Sequence, residues 1–426
     1  MKAPMQRRHF LASCVALSGW TLMRNAAATA DSADSPYARR KLVVVMLRGA
    51  VDGLSVVTPY GDRNYAASRG SIALAAPGAD DGLLKLDSLF GLNPALGRLK
   101  PYWDQGSMAF VHASGSPDHT RSHFDAQDYM ESGTPGRKST PDGWMNRLLQ
   151  GLPGESSPTR AISMGTTPPR IFAGSGSVAN LGVGRKALDA KAIDKPEMQS
   201  ALAKLYAKDP MMARTYRDTT EGREEIKRSM EEPRMVHGDM AGASMDPTAD
   251  AGAQSASGFA ADAQRLGRVI SADVHTQLAF TSVGGWDTHI NQGGAKGQLA
   301  NKLASLSLGL DALAQGLGDA LKDTVIVVMS EFGRTVRQNG TNGTDHGRGN
   351  VMWLLGGPVN GGRVMGEWPG LETSALADGR DLAVVTDFRA VISPILQRHL
   401  GLSDAGLAQV FPQGPAATRA ALLRTV

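Results

Sequence analysis

The sequence predicts an α/β fold, a parallel-rich sheet sandwiched between helices and interrupted by a helical and flexible insertion. Three observations carry this. Lys41–Leu47 and Thr324–Met329 are apolar almost throughout, as strands buried on both faces are. Segments of helical periodicity alternate with strands, the order that builds parallel sheets. The strands at 41–47, 276–283 and 324–329 each end in an acidic or acid–histidine motif. In open sheets of this kind, ligands sit beyond the carboxyl ends of the strands.

The elements follow in chain order. Strand Lys41–Leu47 runs into the Gly-rich turn Arg48-Gly49-Ala50-Val51-Asp52-Gly53. Leu92–Trp103 reads as a helix, Ser107–His112 as a strand, and Ser114–Glu131 as a polar loop entering a helix. Ala161–Met164 and Arg170–Ala173 read as short strands. Residues 185–235 change character: 22 of 51 are charged, in a helical pattern of mixed sign. Residues 241–263 hold nine Ala, three Gly and three Ser, the composition of a linker. We read 185–260 as an insertion within one domain spanning 31–426. An amphipathic helix at Phe259–Ala272, a strand at Thr276–Val283 and a long helix at Gln298–Leu321 follow. Strands at Thr324–Met329 and Val351–Leu355 and a helix at Asp387–Leu400 close the chain.

Of 426 residues, 45 are Lys or Arg and 41 are Asp or Glu, a net charge of +4. The first 30 residues hold Lys2, Arg7, Arg8 and Arg24 and no acid, so the remainder is neutral. That balance argues against a nucleic-acid partner. The same segment reads as an export signal. Arg7-Arg8-His9-Phe10-Leu11 is similar to a twin-arginine motif, and Ala26, Ala28 and Ala30 suit signal peptidase. The expected location is the periplasm or the exterior, reached folded through the twin-arginine translocase. No later stretch offers the roughly 18–20 apolar residues of a membrane span. The single cysteine, Cys14, falls inside the signal. The mature chain therefore has no disulfide, thiolate ligand or Cys nucleophile.

Without sulfur, the strand-end carboxylates and imidazoles suit hard or borderline cations. Asp52, Asp287, His289, Glu331, Asp345 and His346 are candidate ligands for one or two divalent ions of zinc, manganese, magnesium or calcium. Each alone is more often a turn or cap residue; their joint occurrence is the signal. Glu331 follows a buried strand, where an unpaired carboxylate is costly. The loop Pro117–Asp125 offers Ser122, or Thr120, as a nucleophile, with Arg121 and His123 beside it. Capping of the next helix is the plain alternative for either hydroxyl. Arg48, Arg121, Arg334 and Arg348 are candidate clamps for an anionic group. Met230, Met235, Met240 and Met245, with His237 among them, support a weaker reading as a Cu(I) carrier. His112, His275 and His399 read as structural.

A family resemblance rests on an ordered set of motifs. They are Arg48-Gly49-Ala50-Val51-Asp52-Gly53, Arg121-Ser122-His123-Phe124-Asp125-Ala126-Gln127, Gly285-Trp286-Asp287-Thr288-His289, Ser330-Glu331-Phe332-Gly333-Arg334-Thr335 and Gly343-Thr344-Asp345-His346-Gly347. Together with Thr386-Asp387-Phe388-Arg389 and Val410-Phe411-Pro412, the set resembles exported bacterial proteins of "domain of unknown function 1501". That family in turn resembles the alkaline phosphatase and sulfatase superfamily. The resemblance implies an alkaline-phosphatase-like fold, with Asp52 as a first metal-binding aspartate and Ser122 at the nucleophile's place. Asp287 and His289 would be an aspartate–histidine metal pair, and His346 the last metal-binding histidine. Phe332 stands where a metal-binding histidine is expected.

Two functions compete. One is an exported metal-dependent hydrolase acting on a small phosphate or sulfate ester, with Ser122, Arg121, His123 and Arg48 as its catalytic groups. The other is a non-catalytic exported protein that keeps a structural metal and binds an anionic glycan or assists another surface protein.

Overall fold

The computed structural model describes residues 36–184, 195–208 and 248–425 apart from position 419, with scattered positions between 210 and 224. The export segment and the Met230–Met245 run lie outside the described residues. Eight strands form the main path of the sheet: β1 Lys41–Leu47, β2 Met108–Gly115, β3 Ala161–Met164, β4 Ala179–Leu181, β5 Leu278–Gly284, β6 Thr324–Ser330, β7 Asn350–Leu355 and β8 Arg363–Met365. Their spatial order is β8-β2-β7-β6-β1-β5-β3-β4. β1 pairs in parallel with β6, Lys41 opposite Thr324 through Leu47 opposite Ser330. It pairs in parallel with β5 on its other side, Leu42 opposite Leu278 through Leu47 opposite Val283. β7 runs antiparallel to both β6 and β2, so a parallel centre carries a mixed flank.

β1 is apolar from Leu42 to Leu47 because both of its faces are covered. Val43, Val45 and Leu47 pack against Leu266 and Val269 of α3 (Phe259–Ala272) and Leu303 and Leu310 of α4 (Gln298–Leu317). Leu42, Val44 and Met46 point the other way, as alternate strand residues must. They meet Trp144 and Leu148 of α2 (Trp144–Gly151) and Val391 and Ile392 of α5 (Phe388–Pro394). Each such buried side chain contributes about 1.5–3 kcal/mol. The remaining helix that positions the site is α1, His123–Ser132, which starts at Ser122 and ends at Gly133 in a left-handed conformation.

Several expectations are corrected. Arg170–Phe172 is a 3-10 turn, not a strand, and the strand of this region is β4. Leu92–Trp103 is not one helix. Pro94 and Pro101 divide it into a 3-10 run, Pro94–Leu99, and a short helix, Lys100–Asp104. The long helix ends at Leu317 and continues as 3-10 through Asp323, and the closing helix turns into a π segment at Ile395–His399. Residues 248–258, expected as linker, are anchored at two points though largely exposed. Ala249 is fully buried, and Gln254–Ser255 pairs with β5.

His112 and His399 are buried, as the structural reading expects. The Nδ1 of His112 accepts from Ala113 N at 2.9 Å, which leaves Nε2–H to donate to Val57 O at 2.8 Å, so the ring is held neutral. Burial pushes both histidines down to about 4. The unfolded chain therefore binds protons that the folded chain refuses, and stability falls as pH drops from about 6.5 to about 4. The cost is about 3 kcal/mol per histidine across that window, with no contribution above it. Urea melts at about pH 7 and about pH 5 should show this loss, and His112→Gln should reduce the difference.

Candidate metal centre

The carboxyl ends of β5, β1 and β6 are adjacent, and the segments leaving them meet. Gly49 makes this approach possible. Its φ is +106°, and a Cβ there would stand 2.8 Å from the backbone nitrogen of Asp287. Its own N–H donates to Glu331 Oε1 at 2.7 Å. On the far side the loop 339–346 lies against His289: a Cβ on Gly343 would stand 2.2 Å from the His289 carbonyl.

Four side chains converge. The donor atoms of His123, Asp287 and His346 lie within 4.8 Å of one another. His123 Nε2 is 3.0 Å from His346 Nε2 and 3.7 Å from Asp287 Oδ1, and His346 Nε2 is 3.3 Å from Asp287 Oδ1. On the more exposed side, His289 Nε2 is 2.9 Å from Asp287 Oδ1 and 3.0 Å from His346 Nε2. Tetrahedral ligands about 2.0–2.1 Å from a zinc ion stand about 3.3 Å from each other.

The other ring nitrogens decide the chemistry. His123 Nδ1 lies 2.8 Å from Glu331 Oε1, His289 Nδ1 3.1 Å from Asp345 Oδ1, and His346 Nδ1 2.8 Å from the Arg121 carbonyl. All three partners are acceptors, so each Nδ1 carries a proton, and each Nε2, once deprotonated, offers a lone pair inward. Three lone pairs aimed at one carboxylate oxygen repel unless a cation sits among them. Carboxylates and carbonyls behind ligating imidazoles are the usual support of such a cation. The residues present therefore fit a divalent ion with imidazole and carboxylate ligands.

Electrostatics agree. Burial opposes the charge on Asp287, but bonds from His123, His346 and Arg334 hold its carboxyl well below the usual range. Burial likewise disfavours a charged His123, yet Asp287 and Glu331 outweigh it and push the imidazole up to about 9. Without a metal, the His123 imidazolium is the cation between those carboxylates. Burial is again offset at Glu331, where His123 and Gln127 keep the carboxyl ionised.

The sequence-predicted residues fall into three groups. Asp287, His289 and His346 come together, joined by His123, which had been expected as a catalytic group. Glu331 and Asp345 stand behind histidines, their oxygens on Nδ1 atoms. Asp52 is elsewhere. It is fully buried, and its Oδ2 accepts from Arg69, from Ser55 Oγ at 2.7 Å and from Gln292 Nε2 at 2.6 Å. Ser122 caps α1: its Oγ accepts weakly from Asp125 N at 3.5 Å. Thr120 Oγ1 accepts from Ser122 N at 3.2 Å. Arg48 is buried against Gln127 and Glu131, at 2.5 and 2.6 Å. Arg121 pairs with Asp381 at 2.5 Å and Asp378 at 3.1 Å. Phe332, at the place of an expected histidine, stacks on His123 with ring centres 4.9 Å apart.

Sequence reasoning missed Gln127, Glu131, Arg69 and Gln292. His123, Gln127 and Glu131 are spaced i, i+4, i+8 on α1, so polar groups on one buried helix face were the available signal. Gln292 joins Asp52 to the centre. Its Oε1 accepts from Thr288 Oγ1 and Thr344 Oγ1, both at 2.8 Å. Thr344 Oγ1 in turn accepts from Arg334 Nε at 3.2 Å, and Arg334 Nη1 donates to Asp287 Oδ1 at 2.6 Å.

No curated protein matches the chain. Its fold is similar to that of Ps i-CgsB in complex with k-i-k-neocarrahexaose, at 11% identity and TM-score 0.37, covering 85% of this chain and 72% of that one. A protein in the alkaline phosphatase superfamily from Vibrio parahaemolyticus is similar at 11% identity and TM-score 0.31, over 75% of this chain and 60% of that one. BT1596, a 2-O GAG sulfatase, is similar at 10% identity and TM-score 0.32, over 85% and 71%. Likeness this weak leaves the chemistry to the residues. The family model described as "Protein of unknown function (DUF1501)" matches residues 104–411, most of the chain, and the protein belongs to that family.

Proposed function

We propose that this is an exported metal-dependent hydrolase of phosphate or sulfate esters, carried out by the twin-arginine translocase and acting in the periplasm or outside the cell. One observation carries it: His123, His289 and His346 turn Nε2 toward Asp287 Oδ1 while each Nδ1 is bonded to an acceptor. A divalent ion bound there would polarise an ester oxygen and acidify a water. The chain's own part is to fix its ligands. Glu331 and the Arg121 carbonyl set two tautomers from the buried side, and Asp345 sets the third. His346 and His289 are 25% and 34% exposed, so a small ester can reach this side of the centre. No helix among the described residues is long and apolar enough to cross a membrane.

A second reading, a non-catalytic protein with a structural metal, is supported by two features. Ser122 uses its hydroxyl as a helix cap, and Arg48 and Arg121 are neutralised by carboxylates.

Elemental analysis of the purified mature protein should find about one zinc, manganese or similar ion per chain. Chelation should lower the melting temperature and abolish turnover of aryl phosphates or aryl sulfates. Bound metal without turnover would leave the second reading; absence of metal would overturn both.

A further inference from the structure

The candidate centre holds three carboxylates, Asp287, Glu331 and Asp345, against one guanidinium, Arg334. The adjoining Arg48–Glu131 pair is neutral in itself. One divalent ion cancels the remaining two negative charges, and the loaded centre then has no surplus positive charge for an anionic ester. A substrate of that charge needs a cation of its own.

The four candidate arginines are separated by their partners. Arg48 is committed to Glu131, Arg121 to Asp381 and Asp378, and Arg334 to Asp287. Arg348 meets no carboxylate among the described residues. Its Nη2 lies 3.1 Å from His119 Nε2, and its Nε is shielded without a hydrogen-bond partner. An N–H without an acceptor is costly in a protein interior. It also means that Arg348 has no bond from Nε to give up on turning toward an oxyanion.

Placement points the same way. Arg348 follows His346 by two residues. His119 lies on the loop that delivers His123, and the bond from His346 Nδ1 to the Arg121 carbonyl, 2.8 Å, ties that loop to the His346 turn. The two side chains therefore stand on the same pair of segments that supply two of the four converging donors. A guanidinium bonds a tetrahedral oxyanion through Nε and one Nη together, which a lysine cannot copy.

We propose that Arg348, steadied by His119, binds the phosphoryl or sulfuryl group of the substrate. This rests on the hydrolase reading above. The test is calorimetric titration of inorganic phosphate, and separately of inorganic sulfate, into the full mature chain in zinc-containing buffer, with zinc content measured in parallel. The parent should bind at least one of the two ions. Arg348→Gln should bind it about tenfold more weakly or worse, and Arg348→Lys should recover only part of the loss. Melting temperature and zinc content should not change, because no carboxylate is left unpaired. Equal binding by Arg348→Gln and parent, or no binding by the parent, overturns the proposal. Arg348-dependent binding to a chain that holds no zinc upholds Arg348 and removes the metal-dependent reading instead.

Discussion

His346→Ala is expected to abolish stoichiometric zinc binding by the mature protein. Nε2 of His346 is the hub of the centre, within 3.0–3.3 Å of His123 Nε2, His289 Nε2 and Asp287 Oδ1. Removing a partner that stands behind a ligand costs roughly 10–100-fold in metal affinity, so losing a ligand should cost more than about 100-fold. Glu331→Gln, which leaves every Nε2 in place and alters the support behind His123 Nδ1, should stay within that lower range. Competition against a chromophoric chelator measures both. Metal and proton compete for His123, so binding should release protons and tighten as pH rises toward about 9. Zinc at about 100 times its Kd should stabilise the parent by about 2.7 kcal/mol and His346→Ala by almost nothing. Parent-like affinity in His346→Ala would remove the centre as drawn.

The largest loss of stability is expected from Asp52→Ala. Arg69 is fully buried, with Nη1 bonded to the carbonyls of Thr335 and Val336 and Nη2 to Asp52 and Ser55. Deleting the carboxylate strands a guanidinium in the interior and removes an acceptor from Gln292. Breaking a buried pair in this way costs about 3–5 kcal/mol. The double variant Asp52→Leu with Arg69→Met should recover part of it, since burying neither charge avoids the desolvation penalty. Chemical denaturation checks the sign and size. Metal affinity of the folded fraction should change little, because Asp52 reaches Asp287 only through Gln292, Thr344 and Arg334. Unchanged stability with lost metal would instead return Asp52 to the role its resemblance implied.

These two variants separate what was legible in the sequence from what was not. β1 and β6 were plain because burial on both faces leaves only apolar residues over Leu42–Leu47 and Val325–Met329. Their parallel pairing with β5, and the meeting of the three strand ends, followed from alternation with helices. Arg170–Phe172 was misread because a short apolar run has no period that separates a strand from a 3-10 turn. At the site, residue type and order pointed to Asp287, His289 and His346. Glu331 and Asp345 carry the same chemistry as ligands. They differ from them by the depth of one imidazole ring, which spacing along the chain does not encode. Asp52 was beyond reach for another reason. Its partner Arg69 sits in Ser68-Arg69-Gly70, a stretch without motif or periodicity, and only the folded path brings them together.

The central strand also sets a clock. Leu47 lies beside Ser330, 283 positions later in the chain. The first strand made therefore waits about 15–60 s at ordinary synthesis rates for the neighbour that covers it. Contacts of this range make folding slow and leave an apolar segment exposed meanwhile. His123, Asp287 and His346 are likewise drawn from distant stretches, 223 positions from first to last, so no early nascent fragment holds the full ligand set. The metal therefore finds its full ligand set only once about four-fifths of the chain has been made.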